Sequence, residues 1–434
     1  MIEKTLRALS VVMFAVVLVA CGGGSSSSSG GSSSSSGSST ITILDSFEGT
    51  NGANPQDGLI QGSDGNFYGT TYGGGTSATC TGGCGTIFKV SPTSGAETVL
   101  YSFGGGSSDG SQPFGLIQGS DGNFYGTTEA GGPSANCTDG CGTIFEFSPT
   151  SGAETVLHSF EGGSSDGANP QAGLVQGSDG NFYGTTEAGG PSANCTDGCG
   201  TIFEFSPTSG AETVLHFFEG GSSDGANPLA GLIQGSDGNF YGTTYRGGAS
   251  ATCTGGCGTI FGVSPTSGIE AVLYSFESGG FDGAYPEASL IQVSDGNFYG
   301  TTYGGGTNCV LGGGCGTIFE FSPSSGTETV LYSFGNSGDG ISPNGLIQGS
   351  DGNLYGTTYG GGTSANCTHG CGTVFEFSPT SGTETVLHDF GSFSGDGEHP
   401  FAGSPILGSD GNFYGTTYYG GTENDGTVFE VALQ

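Results

Sequence analysis

Beyond residue 40, apolar positions fall in short runs, each closed by Gly, Asp, Asn or Pro. Gly173–Pro228 shows the pattern. "GLVQG" is a brief apolar run. "SDGN" follows, with Asp-Gly supplying the positive φ angles of a tight hairpin turn. "NFYGTT" reads as a second strand, and a Gly-rich loop with two cysteines comes next. "GTIFEF" is a third strand. "SPTSGA" is a turn in which Pro fixes φ and Gly closes it. "ETVLHFF" is a fourth strand, and "EGGSSDGANP" leads onward. In "NFYG" and "TIFEF" large residues occupy both strand faces, which predicts sheets buried on both sides.

This unit recurs. "SDGNFYGTT" stands at Ser63, Ser120, Ser178, Ser236, Ser294 and Ser409, and at Ser350 with Leu354 replacing Phe. The Asp-to-Asp spacings are 57, 58, 58, 58, 56 and 59. Such a period means a solenoid, a propeller or an array. Four antiparallel strands per unit and no helix predict an all-β fold, a seven-bladed β-propeller over residues 40–434. The seventh unit stops at its third strand, "GTVFEVALQ", while "ITILDSF" (Ile41–Phe47) aligns with "ETVLYSF" (Glu97–Phe103). The N-terminal strand is therefore expected to complete the last blade and remove the open edges.

The first 39 residues belong to no repeat. Residues 1–20 pair Lys4 and Arg7 with an apolar run from Val11 to Ala20, the pattern of an export signal. "LVAC" ends it and resembles the lipobox of bacterial lipoproteins, which implies cleavage before Cys21 and its lipidation. Gly22–Ser39 is almost pure Gly and Ser, a coil spanning about 20–25 Å. A membrane tether in a bacterial cell envelope is the expectation.

Charge narrows the partners. Glu3, Lys4 and Arg7 would leave with the signal, so 39 acids face Lys89 and Arg246, a net charge of −37. Nucleic acid is excluded as a partner, since it needs clustered Lys and Arg. Cysteines other than Cys21 come in local pairs: Cys80/Cys84, Cys137/Cys141, Cys195/Cys199, Cys253/Cys257, Cys309/Cys315 and Cys367/Cys371. In an exported chain these read as disulfides. Zinc would need four ligands in one place, and each loop offers two.

"LIQGSDGNFYGTTYGGG…GTIFKVSP…ETVLYSF" resembles the Gloeo/Verruco (GloVer) tandem repeat across Ile41–Gln434. The resemblance implies an exported, anchored repeat protein and no particular activity. The cysteine pairs depart from the simplest repeats. The Asp-Gly-Asn-aromatic turn is also similar to virginiamycin B lyase-like propellers, a shared hairpin that carries no catalytic residue across.

In a propeller the cysteine loops and the "SSDGANP" segments open on the same face. Three residue sets stand there. The position after each "GTT" holds Tyr72, Glu129, Glu187, Tyr245, Tyr303, Tyr359 and Tyr418, suited to stacking on sugars and bonding hydroxyls. The plainer reading is that they cover the blade cores. Asp109, Asp166, Asp224, Asp282, Asp339 and Asp396 recur in the connecting loops, with Asn51 at the first; they are oxygen ligands suited to calcium, or simply turn residues before Gly. His369, Glu398, His399, Glu423 and Asp425 break the repeat near blades six and seven and offer a general base, or mere drift in exposed loops. His158, His216 and His388 share a fourth-strand position with Tyr101, Tyr274 and Tyr332 and read as surface residues. The expected function is a monomeric, lipid-anchored binding or structural module of the cell envelope, with carbohydrate or protein as the candidate ligand. The alternative is a polysaccharide lyase or hydrolase using the blade six/seven residues.

Overall fold

The computed structural model describes residues 40–250, 252–278, 282–307, 314–401 and 403–433. The signal, Cys21, the Gly/Ser linker and Cys309 lie outside the described residues.

Seven four-stranded antiparallel sheets follow one another along the chain. Blade three runs Val175–Gln176, Phe182–Thr186, Thr201–Ser206 and Ala211–Phe217, in that order across the sheet. Blade seven is assembled from both ends of the chain: Thr40–Ser46 pairs with Thr427–Ala432, which pairs with Phe413–Thr417. The ring is closed, as the alignment of "ITILDSF" predicted. First strands face the axis, where Leu59, Leu116, Leu174, Leu232, Ala288 and Ile406 line one cavity of about 230 Å³. Fourth strands form the rim.

The repeated nonapeptide explains the closure. Asp64 Oδ1 accepts the Asn66 N–H at 3.1 Å, and Oδ2 accepts the Tyr68 hydroxyl at 2.8 Å. Gly65, at φ 82°, makes the turn. Tyr68 packs its ring on Phe124 of the next blade at 4.4 Å. The same contact recurs around the circle and is made across the closure by Tyr414 and Phe67 at 4.1 Å. In copy six, Leu354 takes the place of the second ring. A second set of edge-on pairs joins each fourth-strand Phe to the next third strand, from Phe47–Phe88 to Phe390–Phe429, at 5.0–5.2 Å. Each such pair adds about 0.5–1.5 kcal/mol beyond its burial. Thr71 and Thr86 share a 2.8 Å hydroxyl bond between central strands. Gln61 Oε1 accepts the Ser409 N–H, tying blade seven to blade one at 2.9 Å.

Cys80–Cys84, Cys137–Cys141, Cys195–Cys199, Cys253–Cys257 and Cys367–Cys371 are disulfides, as their spacing predicted. The remaining expected pair, Cys309–Cys315, is described only at one end. Cys315 is buried and disulfide-bonded, whereas its expected partner falls among the residues not described. The cysteine loops rest on the connecting segments, as the shared face requires: the Ser134 hydroxyl and the Asn136 amide both donate to the Glu161 carbonyl.

Candidate functional site at the axial mouth

Each residue after "GTT" leaves its second strand just where the chain reaches the loop face. The next connecting segment clamps it there. The residue before each segment's Pro adopts a left-handed backbone, with φ of 53–60° at Asn54, Gln112, Asn169, Asn227, Tyr285, Ser342 and His399. Asn tolerates that region better than most residues. Its side chain then reaches back to the previous blade. Asn54, Asn169 and Asn227 donate to the carbonyls of Tyr418, Glu129 and Glu187 at 3.0, 3.0 and 3.1 Å. His399 does the same with Nδ1, 2.8 Å from the Tyr359 carbonyl, and stacks on the Tyr359 ring at 4.7 Å.

The result is a ring of half-buried side chains. Tyr72 lies in the field of Glu129. Gln171 donates to Glu187 at 2.9 Å and to Glu129 at 3.4 Å. Tyr245 lies in the field of Tyr303, Tyr359 also in that of Tyr303, and Tyr418 in those of Tyr359 and Glu129. Burial, followed by Glu129 and Asp197, pushes the Glu187 carboxyl up to about 7, against the pull of Arg246. Burial also raises Glu129 and the phenol of Tyr72.

Below the ring, Gln56, Phe114, Gln171, Leu229 and Glu287 line the channel, all at the position after the Pro. Burial pushes Glu287 up to about 8. Asp57 also faces the channel, and burial raises its carboxyl too. Sequence reasoning missed this tier because it lies in what reads as connecting loop. A signal was present: this position varies among Gln, Phe, Leu, Glu and Asn while the repeats around it barely change.

The other expected residues are distributed differently. The connecting-loop aspartates act as staples at six blade junctions, and Asn51 takes the place at the seventh, accepting the Glu48 N–H at 2.7 Å. Asp109 accepts from the N–H groups of Gly104 and Gly110 at 2.5 and 2.7 Å and from the Tyr101 hydroxyl at 3.0 Å. Asp166, Asp224, Asp282, Asp339 and Asp396 repeat the backbone pattern. Of the five residues near blades six and seven, His399 serves as a clamp. His369 and Glu423 are exposed. Glu398 lies beside the Cys367–Cys371 disulfide. Burial, then Glu423, raises Asp425. Among the described residues, no hydrogen bond or ion pair joins any two of the five. His158, His216 and His388 correct the surface reading: their side chains are 12–22% exposed and turn toward the loop aspartates.

A family model, the Gloeobacter/Verrucomicrobia repeat, matches residues 15–256 and 249–434. No curated protein matches. Among solved structures, an oligogalacturonate lyase in complex with manganese is similar at 14% identity, over 91% of this chain and 93% of that one, with a TM-score of 0.54. The oligogalacturonate lyase of Vibrio parahaemolyticus gives 12%, 91%, 93% and 0.52. An extracellular domain assigned to a one-component system of B. thetaiotaomicron is similar at 10% identity over 90% of this chain and 39% of that chain, with a TM-score of 0.55. At these identities the likeness is one of fold.

Proposed function

Because the chain belongs to the Gloeobacter/Verrucomicrobia repeat family, we propose that it is a lipid-anchored cell-envelope module that binds a neutral glycan at the axial mouth. The observation that carries this reading is the ring of Tyr72, Glu129, Glu187, Tyr245, Tyr303, Tyr359 and Tyr418. Phenol faces stack on sugar rings, and phenol and carboxyl groups bond to hydroxyls. The whole chain carries far more acids than bases. Uronate or sulfate chains would meet like charge, so neutral sugars are the favoured class. Lipidation at Cys21 would hold the propeller at the membrane, with the Gly/Ser coil giving it reach.

The test is a glycan array probed with the purified full chain. Binding to neutral glycans is expected, and loss of that binding in the Tyr245→Ala/Tyr303→Ala/Tyr359→Ala variant. The enzyme alternative is separated by His369→Ala combined with His399→Asn, which removes both imidazoles and restores the Asn clamp of other blades. Binding should survive this change. Turnover of a polysaccharide that this variant abolishes would reverse the choice, since losing a general base costs about 10²–10⁴ in rate.

A further inference from the structure

Along the outer rim, successive blade junctions bring three groups together: a fourth-strand residue, the loop aspartate, and the first Glu of the next fourth strand. At three junctions the fourth-strand residue is Tyr, and its hydroxyl bonds to the loop aspartate. Tyr101 donates to Asp109, Tyr274 to Asp282 and Tyr332 to Asp339, at 3.0, 3.2 and 2.9 Å. At two junctions it is His, and the same Glu follows: His158 with Asp166 and Glu212, and His216 with Asp224 and Glu270. In each trio one ligand atom per residue lies within 4.8 Å of the others. His216 Nε2 is 3.4 Å from Asp224 Oδ2 and 3.8 Å from Glu270 Oε2. His158 Nε2 is 4.0 Å from Asp166 Oδ2.

The aspartates accept backbone N–H groups, but the imidazole Nε2 atoms are buried without a hydrogen-bond partner. This orphaned nitrogen sets the two trios apart, since the equivalent Glu oxygen is also unpaired beside Tyr101 and Tyr274, at Glu154 and Glu328. Nε2 of His158 and of His216, and Oε1 of Glu212 and of Glu270, are shielded from solvent and make no hydrogen bond. The Glu270 side chain is 7% exposed. A buried polar atom left unpaired costs about 1–3 kcal/mol.

We propose that His158–Asp166–Glu212 and His216–Asp224–Glu270 are two binding sites for a first-row divalent transition ion of the zinc type. Zinc binds His nitrogen and carboxylate oxygen at about 2.0–2.2 Å, which sets tetrahedral ligands about 3.4 Å apart. The His216 trio is already near that spacing. A nitrogen ligand and three donors argue against calcium, which takes six to eight oxygens. The aspartates keep their backbone bonds on one lone pair of each oxygen and have another to offer. A water would complete the coordination. The third histidine supplies an internal control. His388 Nε2 makes a 3.0 Å contact with Asp396, and the next blade has Ile41 where the Glu would stand.

The repeat also supplies variants expected to fold, because Tyr already occupies this position at three junctions. The purified full chain is stripped with chelator and dialysed against micromolar Zn²⁺ in 0.15 M salt. The bound metal is then counted. Two zinc ions per chain are expected, one after His216→Tyr or His158→Tyr, none after both, and an unchanged two after His388→Tyr. Co²⁺ should give visible d–d absorption in the wild type and lose it in the double variant. A wild type that takes up no zinc, or a count that the double Tyr variant leaves unchanged, overturns the proposal.

Discussion

Single residues in this protein are legible through their copies. Glu97, Glu154, Glu212, Glu270, Glu328 and Glu384 occupy one position, and burial pushes all six carboxyls up, to about 7 for the first four and about 8 for the last two. In the unfolded chain a Glu titrates near about 4.3. The native state therefore holds more protons between these values, and its stability falls as pH rises through them. In chelator, the melting temperature should be higher at pH 5 than at pH 8, and Glu328→Gln should flatten that slope. A melting temperature that rises from pH 5 to pH 8, measured by calorimetry, would contradict the assignment. Glycines also separate by role. A Cβ at Gly140 would lie 2.0 Å from the Gly131 carbonyl oxygen, whereas one at Gly152 would meet nothing within 4 Å. Both have positive φ, so Gly152→Ala should cost about 1 kcal/mol, and Gly140→Ala several times more in a denaturant melt.

Elements were legible where the pattern repeats, and less so where the chain turns irregular. "SDGN", "NFYGTT", "GTIFEF" and "ETVLHFF" give hairpins and strands because turn chemistry and apolar runs agree in every copy. The connecting segments read as loops. In the structure they form short ladders, such as Gly167–Ala168 with Ala188–Gly189, which no apolar pattern announces. That is why the Asn54-type clamp and the Glu287 tier were missed, while the Tyr and Glu ring was found from its fixed place after "GTT". The outer-strand histidines were misjudged for a related reason. A strand at the rim reads as exposed until the next blade's Glu and the loop aspartate are seen to cover it. The disulfides give a prediction at this scale. Each closes a very short loop, so its entropic contribution is about 2 kcal/mol or less. Reduction should lower the melting temperature modestly without unfolding the ring; unfolding at room temperature on reduction would show that the loops hold the blades together.

At the scale of the whole molecule, circular pairing is what the repeats achieve together. Deleting Thr40–Phe47 removes the ladder to Thr427–Ala432 and the buried Phe47, which alone contributes about 1.5–3 kcal/mol. The truncated chain should melt far lower or aggregate through its exposed edge. An unchanged melting temperature would mean that closure contributes nothing. Closure also gathers seven dispersed residues at one axial mouth, and the functional account rests on that convergence. Its most direct measurement is calorimetric titration of a neutral glycan found on the array into three chains. These are the wild type, Tyr303→Ala, and Tyr245→Ala/Tyr303→Ala/Tyr359→Ala. With about 1 kcal/mol per stacked ring, the single change should weaken binding roughly fivefold and the triple change more than a hundredfold. Equal affinity in all three chains would place the ligand elsewhere and contradict the axial site.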